Sequence, residues 1–405
     1  MLTDFEMDEL IQPIVSRQES INTYVIEVIA KRIKEIGKLD IEDVRKIRVM
    51  FDMGEDVRKI NEALAATSNL QVKEIKQLIK FVALDSYIDA KPMYDYRHKS
   101  YIPFEKNTKL KRIVSAVGEL TANTYKNLSN SKATGFLIRD LANPSQLKFQ
   151  SIKDTYQTVI DEAIQAVQQG SIDYETAIRR TVAQLAESGI RKMYWDSGYT
   201  QRLDTAVRRN IQDGVNAINQ RIQDMIGKDV GADGKEISVH VNSALDHEPV
   251  QGHAFTNEEY SKLQSDRAFE DIKGTKFAPI ERAITTWNCR HYAKSIILAT
   301  YVPTYTQAQL DAYIRKNHEG YTLENGKHLT LYECTQYQRR LETKIRNAKD
   351  AQMAFQTSGD IREARKYRAK VVHYTNVYEQ FSKKCGLRTK KNRTTVPKYK
   401  AIKVN

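Results

Sequence analysis

The chain has 405 residues, 40% of them apolar and 28% charged, with a formal net charge of +13. Its 8 prolines and 17 glycines are few for this length, so long helices are expected in place of many short strands. No apolar run approaches the ~20 residues of a membrane span, the acidic opening MLTDFEMDEL lacks the apolar centre of a secretory signal, and Cys289, Cys334 and Cys385 are an odd set that fits a reducing compartment better than a disulfide framework.

The first ~225 residues read as helices. Ile26, Ile29, Ile33 and Ile36 share a face, with Gly37 where a C-terminal cap belongs. Asp40 is placed as an N-cap to a second stripe of Ile41, Val44 and Ile47. Val72, Ile75 and Ile79 repeat the pattern. Lys91–Phe104, where Pro92 and Pro103 flank Tyr94, Tyr96 and Tyr101, reads as an ordered loop. Ser151 and Asp154 form a capping-box-like start for a helix carrying Ile160, Ile164 and Val167 and stopped at Gly170. A helix from about Ile172 ends before Gly189. Another begins near Thr200, buries Leu203, Val207, Ile211, Val215, Ile218 and Ile222 on one face, and ends near Gly227.

At Gly231–Lys235 the character changes. GADGK is a turn signal and Ile237–Asn242 alternates like a strand. After Pro303 the helical signature returns, and Tyr332–Lys349 and Ile361–Lys384 read as two long charged helices joined near Thr357–Asp360. The expected fold class is therefore mainly α, in four parts. A helical N-terminal body spans 1–228 and a small α+β module spans 229–302. A long C-terminal helical hairpin spans 303–382 and a basic tail spans 383–405. No internal repeat of fixed period is present.

The α+β module collects the reactive side chains His240, His247, His253, Cys289 and His291. Zinc takes thiolate and imidazole ligands in a tetrahedron. Cys289-x-His291 would put both side chains on one face of a strand. Paired CxxC knuckles are absent, however, so hydrogen-bonded residues fixing a loop are the favoured reading and no metal or cofactor is expected. A Cys289 nucleophile, its thiolate favoured by Arg290 and His291, is a second reading without an obvious third orienting group. Asp246, His247 and Glu248 are adjacent and cannot all face one acid–base site. Neither GxxxxGK[ST] nor GxGxxG occurs, which speaks against ATP-driven or NAD-linked chemistry.

After Glu379 there is no acidic side chain. The tail carries Lys383, Lys384, Arg388, Lys390, Lys391, Arg393, Lys398, Lys400 and Lys403, nine of the thirteen excess positive charges. Such an end binds DNA phosphates with little sequence preference, or an acidic protein surface, and is expected to be flexible until bound.

Three ordered segments resemble the phage minor capsid protein 2 family, and more loosely Mu-type head morphogenesis proteins. The first is VNSALDHEPVQGHAF with Ser243, His247, Gln251 and Gly252. The second is TTWNCRHYAKS with Asn288, Cys289, Arg290 and His291. The third is YTLENGKHLTLYECTQYQRRLETKIRNAK with Tyr332, Glu333, Gln336, Gln338, Arg339, Glu342 and Arg346, followed by FSKKCGLRTKKNRT. Leu245 or Asp246, and Pro249 with Val250, stand where the family usually has an arginine and a tryptophan. That favours a scaffold over an intact active site.

The resemblance implies a structural, non-enzymatic minor head protein of a tailed bacteriophage. Such a protein sits in several copies around the portal inside the virion, after assembly in the bacterial cytoplasm. Its implied partners are the portal protein, the major capsid protein and the double-stranded DNA genome, with no membrane, and it assists head assembly, packaging or ejection. Gln251-Gly252 and Asn288–His291 would lock the module by hydrogen bonds, while Lys383, Lys384, Arg388, Lys390, Lys391, Arg393, Lys398 and Lys400 would touch DNA. The rival readings are a hydrolase or toxin-like domain at His247, Cys289 and His291, and a host nucleoid- or RNA-associated protein.

Overall fold

The computed structural model describes residues 4–36, 48–128, 133–139, 145–169, 174–194, 196–264, 271–272, 275–276, 283–286, 289–400 and 402. The expectations for Gly37–Ile47, Gly170, Ile172 and Asn288 lie outside these residues. The protein is mainly α with small sheets, as the sequence predicts. Among the described residues no helix is long and apolar enough to cross a membrane.

The chain divides into two compact units, each built from three stretches. One holds Met1–Ile11, Lys73–Asn123 and Arg209–Tyr337; the other holds Gln12–Val72, Thr124–Arg208 and Gln338–Asn405. Helices α1 (Asp4–Ile36) and α2 (Arg48–Ile88) open the chain. On α1, Val25, Ile26, Ile29 and Ile33 are buried at helical spacing, which drives the helix onto its neighbours.

In the first unit, the segment read as a loop begins with a short helix, α3 (Lys91–Tyr96). Pro92 sits in its first turn, where the missing N–H costs nothing. The aromatic cluster there is Tyr87, Tyr94 and Tyr101, with rings 4.9 to 6.4 Å apart; Tyr96 is exposed. Helix α4 (Thr108–Leu128) follows.

The second unit contains an antiparallel sheet that the helical reading of the first half did not anticipate. Its strands are β1 (Thr134–Arg139), β2 (Leu147–Ser151), β3 (Arg191–Tyr194) and β4 (Tyr199–Arg202), in the order β2-β1-β3-β4. Each strand is too short to show a clear period. Gly135 marks the close approach: a Cβ there would lie 1.8 Å from the Gln150 carbonyl oxygen. Helices α5 (Ile152–Gln169) and α6 (Tyr174–Ser188) connect the strands. Ser151 caps α5 by accepting the Asp154 backbone N–H at 3.1 Å.

Helix α7 (Leu203–Val230) buries the predicted stripe from Leu203 to Ile222. It runs past Gly227 and stops at Gly231, whose φ of +69° breaks the helical path. Gly227 has another duty, since a Cβ there would come 2.8 Å from Ser295 Oγ. The module's sheet follows in the first unit: β5 (Gly234–Ile237), β6 (Ala254–Thr256) and β9 (Ala293–Ile296), with β5 central and both neighbours antiparallel to it. The strand shares only Ile237 with the Ile237–Asn242 run read as a strand: it lies over Gly234–Ile237, beginning inside the segment read as a turn, and the residues after it leave the sheet. Helix α8 (Asn257–Leu263) and the tiny hairpin β7 (Asp271–Ile272) and β8 (Thr275–Lys276) lie between β6 and β9. Helix α9 (Gln307–Glu319) and the two-stranded β10 (Tyr321–Thr322) and β11 (His328–Leu329) complete that stretch.

Helix α10 (Leu331–Ser358) starts as predicted but runs on past Lys349 to Ser358, α11 (Ile361–Lys384) has the predicted bounds, and a one-turn helix α12 (Lys391–Thr394) follows. The joint is Gly359, with φ +84°, and Asp360, whose side chain caps α11 at Glu363 N. Pairings of Gln338 with Ser382, Glu342 with Tyr378, and Phe355 with Tyr367 run in antiparallel register. These three pairings define a helical hairpin.

Candidate functional site

The module's sheet brings its reactive groups to one end. Past Ile237 the central strand leaves the ladder, with Ser238 N–H donating to Tyr292 O at 2.9 Å and Gly252 N–H donating to Ile237 O at 2.8 Å. The exit of β5, the entry to β6 and the entry to β9 therefore converge. They carry His240, Gln251 and the pair Cys289 and His291.

Gln251, which is buried, organises this end. Its Oε1 accepts the His240 backbone N–H at 2.9 Å and lies 3.3 Å from His291 Nε2. Ser243 Oγ is 3.5 Å from the same Nε2. Cys289 Sγ lies 3.5 Å from His291 Nδ1 and 3.7 Å from His247 Nδ1. His247 Nε2 is 3.6 Å from the Asp246 carboxylate. His247, Cys289 and His291 are all buried, and their donor atoms lie within 4.8 Å of one another. Asn216 on α7 donates its amide to Cys289 O. Cys289 also packs in an apolar cluster with Ile237, Val250, Phe255, Tyr260, Leu263, Ile284 and Ala293. Burial pushes the Tyr260 hydroxyl up; it sits 2.6 Å from the Thr285 hydroxyl.

Of the eight predicted module residues, Ser243, His247, Gln251, Cys289 and His291 are thus brought together. Arg290 is half-buried and next to the cluster in sequence. Gly252 has φ +72°, and a Cβ there would meet Leu310 Cδ2 at 2.4 Å and Val239 Cγ2 at 2.9 Å. Gly252→Ala is accordingly expected to lower the stability of this unit by about 1–3 kcal/mol. Gly54→Ala, on a helix with nothing within 4 Å of the new Cβ, is expected to raise stability by about 0.5–1 kcal/mol. Denaturant midpoints by circular dichroism test both signs; a neutral Gly252→Ala would remove the steric account.

Sequence reasoning missed Asn317. This buried residue on α9 donates to Ser243 O at 3.0 Å and to Glu248 Oε1, and it accepts the Tyr332 N–H at 2.9 Å. It ties the Ser243–Glu248 turns to the start of α10. Nothing in the weakly patterned helix around it signals this. Glu333, read as a motif residue, completes a capping box with Thr330, through Thr330 N–H to Glu333 Oε2 at 2.9 Å and Glu333 N–H to Thr330 Oγ1 at 3.2 Å.

In the second unit, Gln338, Glu342 and Arg346 of the hairpin motif are buried at steps of four on α10, and Asp350 continues the row. Arg339 lies half-buried on the same helix, as does Gln336 in the first unit's part of α10. Arg346 Nε is 2.8 Å from Glu19 Oε1, and its Nη2 is 2.9 Å from Asp204 Oδ2. Arg202 reaches the same Glu19 at 3.2 Å and Asp204 at 3.1 Å. Asp350 accepts from Asn22 Nδ2 at 2.8 Å and Thr23 Oγ1 at 2.9 Å.

The basic tail is not a free end through Lys400, contrary to the flexible segment expected. Side chains of α10 donate to its carbonyls: Gln338 to Arg388 O at 3.1 Å, Arg346 to Arg393 O at 2.5 Å, Lys349 to Thr394 O at 2.7 Å and Gln352 to Lys400 O at 2.9 Å. Tyr378 Oη accepts the Lys390 N–H at 2.6 Å, and Tyr399 donates to Gln352 Oε1 at 2.5 Å. The reason is local: the buried side chains of Gln338, Arg346 and Gln352 on α10 find backbone acceptors there. Lys383, Lys384, Arg388, Lys391, Lys398 and Lys400 are exposed and Lys390 is half-buried. Arg393 departs from the set, being buried with its guanidinium 3.9 Å from Glu342.

These features define a helical scaffold that carries an internally bonded α+β module and a cationic C-terminal strap. The family model described as Phage minor capsid protein 2 matches residues 2–382, and the chain belongs to that family. It is a structural protein of the phage head and a component of the virion. The match ends at Ser382, before the first of the strap's basic residues, Lys383. No curated protein and no solved structure matches the chain.

Proposed function

We propose that this minor capsid protein is held at the portal inside the head, in several copies, and contacts packaged DNA through its strap. The observation that carries the reading is the row of six exposed cations, Lys383, Lys384, Arg388, Lys391, Lys398 and Lys400, on a segment with no acid after Glu379. A strap pinned to a helical hairpin presents these charges at fixed positions, so little ordering entropy is lost on binding. The helical body supplies the surfaces for portal and major capsid protein. Burial of Cys289 in an apolar cluster supports a structural module over a hydrolase site there.

The test is DNA binding by the full chain across a salt series. Changing the six cations to glutamine is expected to weaken binding and to reduce the slope of log K against log salt. The slope falls by about 0.9 for each phosphate that is no longer neutralised. An unchanged slope would detach the strap from DNA. Crosslinking within assembled heads checks the portal contact, and crosslinks to major capsid protein alone would move the site. Tight binding by the isolated chain, with no crosslink in heads, would favour a nucleoid-type role.

A further inference from the structure

We propose that His247, Cys289 and His291 bind one divalent transition-metal ion of the zinc class, which fastens the converging strand ends of the module. This inference does not depend on the portal reading. It starts from the tautomers. Gln251 Oε1 is committed as an acceptor by the His240 backbone N–H, so His291 Nε2 at 3.3 Å must carry the hydrogen. The Asp246 carboxylate, 3.6 Å from His247 Nε2, favours the hydrogen on that nitrogen too. Both imidazoles then turn an Nδ1 lone pair toward the same sulfur, at 3.5 and 3.7 Å. A dication at that point, in place of the thiol proton, would meet both lone pairs and the thiolate together.

The distances suit such an ion. Zinc bonds of about 2.3 Å to sulfur and about 2.0–2.1 Å to nitrogen, at a tetrahedral angle, separate S from N by about 3.6 Å. The three donor atoms already lie within 4.8 Å of one another. An imidazole that ligates through one nitrogen and donates the other N–H to a carboxylate or amide oxygen is the usual outer-shell arrangement. Here Asp246 and Gln251 fill that role. One thiolate and two imidazoles select zinc over the oxygen-seeking calcium and magnesium. The fourth position falls to a water. A Cys–His catalytic pair would use one histidine and reach solvent, whereas here two histidines face a buried sulfur. On binding, the thiol proton leaves to solvent, so affinity rises with pH.

The experiment uses the full chain, stripped of metal and titrated first with cobalt(II) alone, then with zinc. One cobalt per chain is expected, with thiolate-to-cobalt charge transfer in the near ultraviolet that zinc abolishes. Cys289→Ser should remove that absorption, while Cys334→Ala and Cys385→Ala should keep it. Gln251→Ala, which touches no ion, should weaken binding about 10–100-fold. Wild-type chain that gives no thiolate band, or a band that survives Cys289→Ser, overturns the proposal. The wild-type titration stands even where a variant fails to fold.

Discussion

Replacing Arg346 with alanine is expected to unfold or loosen the second unit more than any other single change to a polar side chain. Arg346 is only 8% exposed. Its guanidinium serves Glu19, Asp204 and the Arg393 carbonyl together. Alanine leaves two buried acids to Arg202 alone, strips the carbonyl of a donor and opens a void. Removing one partner from a buried ion pair costs about 3–5 kcal/mol, most of it the penalty for the charge left behind. Arg346→Lys keeps the charge but loses the fork that reaches three acceptors, so an intermediate loss is expected.

The three buried cysteines separate a local effect from a global one. Cys385 belongs to the second unit, Cys289 and Cys334 to the first. Thiol labelling of Cys385 should accelerate by roughly 10²-fold or more in Arg346→Ala, since each 1.4 kcal/mol is about tenfold in the opened population. Cys334 should change much less. Equal acceleration at both would mean that the two units open together. No acceleration at Cys385 would show that the cluster adds nothing to stability. The same substitution should release the strap, because Arg346 holds it at Arg393.

The parts legible in the sequence are those whose physics is local. The hairpin could be drawn from Tyr332 to Lys384, because each helix shows its own period and the joint carries its own glycine and cap. The α7 stripe was equally plain, since six apolar residues at helical spacing need a single partner surface. Cys289 and His291 could be paired through their spacing, but His247 arrives from a separate turn 42 residues away, and only the meeting of three strand ends joins them. The sheet from Thr134 to Arg202 was missed because its strands are four to six residues long, too short for alternation to compete with the helical signal around them. The tail misled for another reason. Composition reported its charge, but the groups that pin it are carbonyls, which composition does not register. Asp350 was within reach: it continues Gln338, Glu342 and Arg346 at the same step of four.

That same cluster should make the second unit less stable as pH rises through neutrality. It holds two guanidiniums, Arg202 and Arg346, against three carboxylates, Glu19, Asp204 and Asp350, all buried. Fully ionised it would carry an uncompensated negative charge shielded from water, so one proton is retained. Burial, with Asp204 adjacent, pushes the Glu19 carboxyl up to about 8 from 4.5. Burial pushes Asp350 up to about 6 from 3.8. Burial alone would raise Asp204 too, but the guanidiniums of Arg202 and Arg346 and a hydrogen bond from Glu19 outweigh it and hold Asp204 well below the usual carboxylate range.

The sign follows from proton counts. Between about 4.5 and 8 the folded state keeps a proton on Glu19 that the unfolded chain has released, so unfolding free energy falls as pH rises. Asp350 adds the same sign between about 3.8 and 6. Asp204 acts oppositely, but only at the acid end, below about 3.8. The unfolding midpoint read through Cys385 should therefore drop steadily from pH 5.5 to 8.5. Glutamine at position 19 mimics the protonated acid, so Glu19→Gln should flatten the fall above about pH 6. If wild type and Glu19→Gln decline in parallel, the proton does not reside at Glu19. If the midpoint stays level across this range, the cluster is fully ionised when folded and holds no proton there.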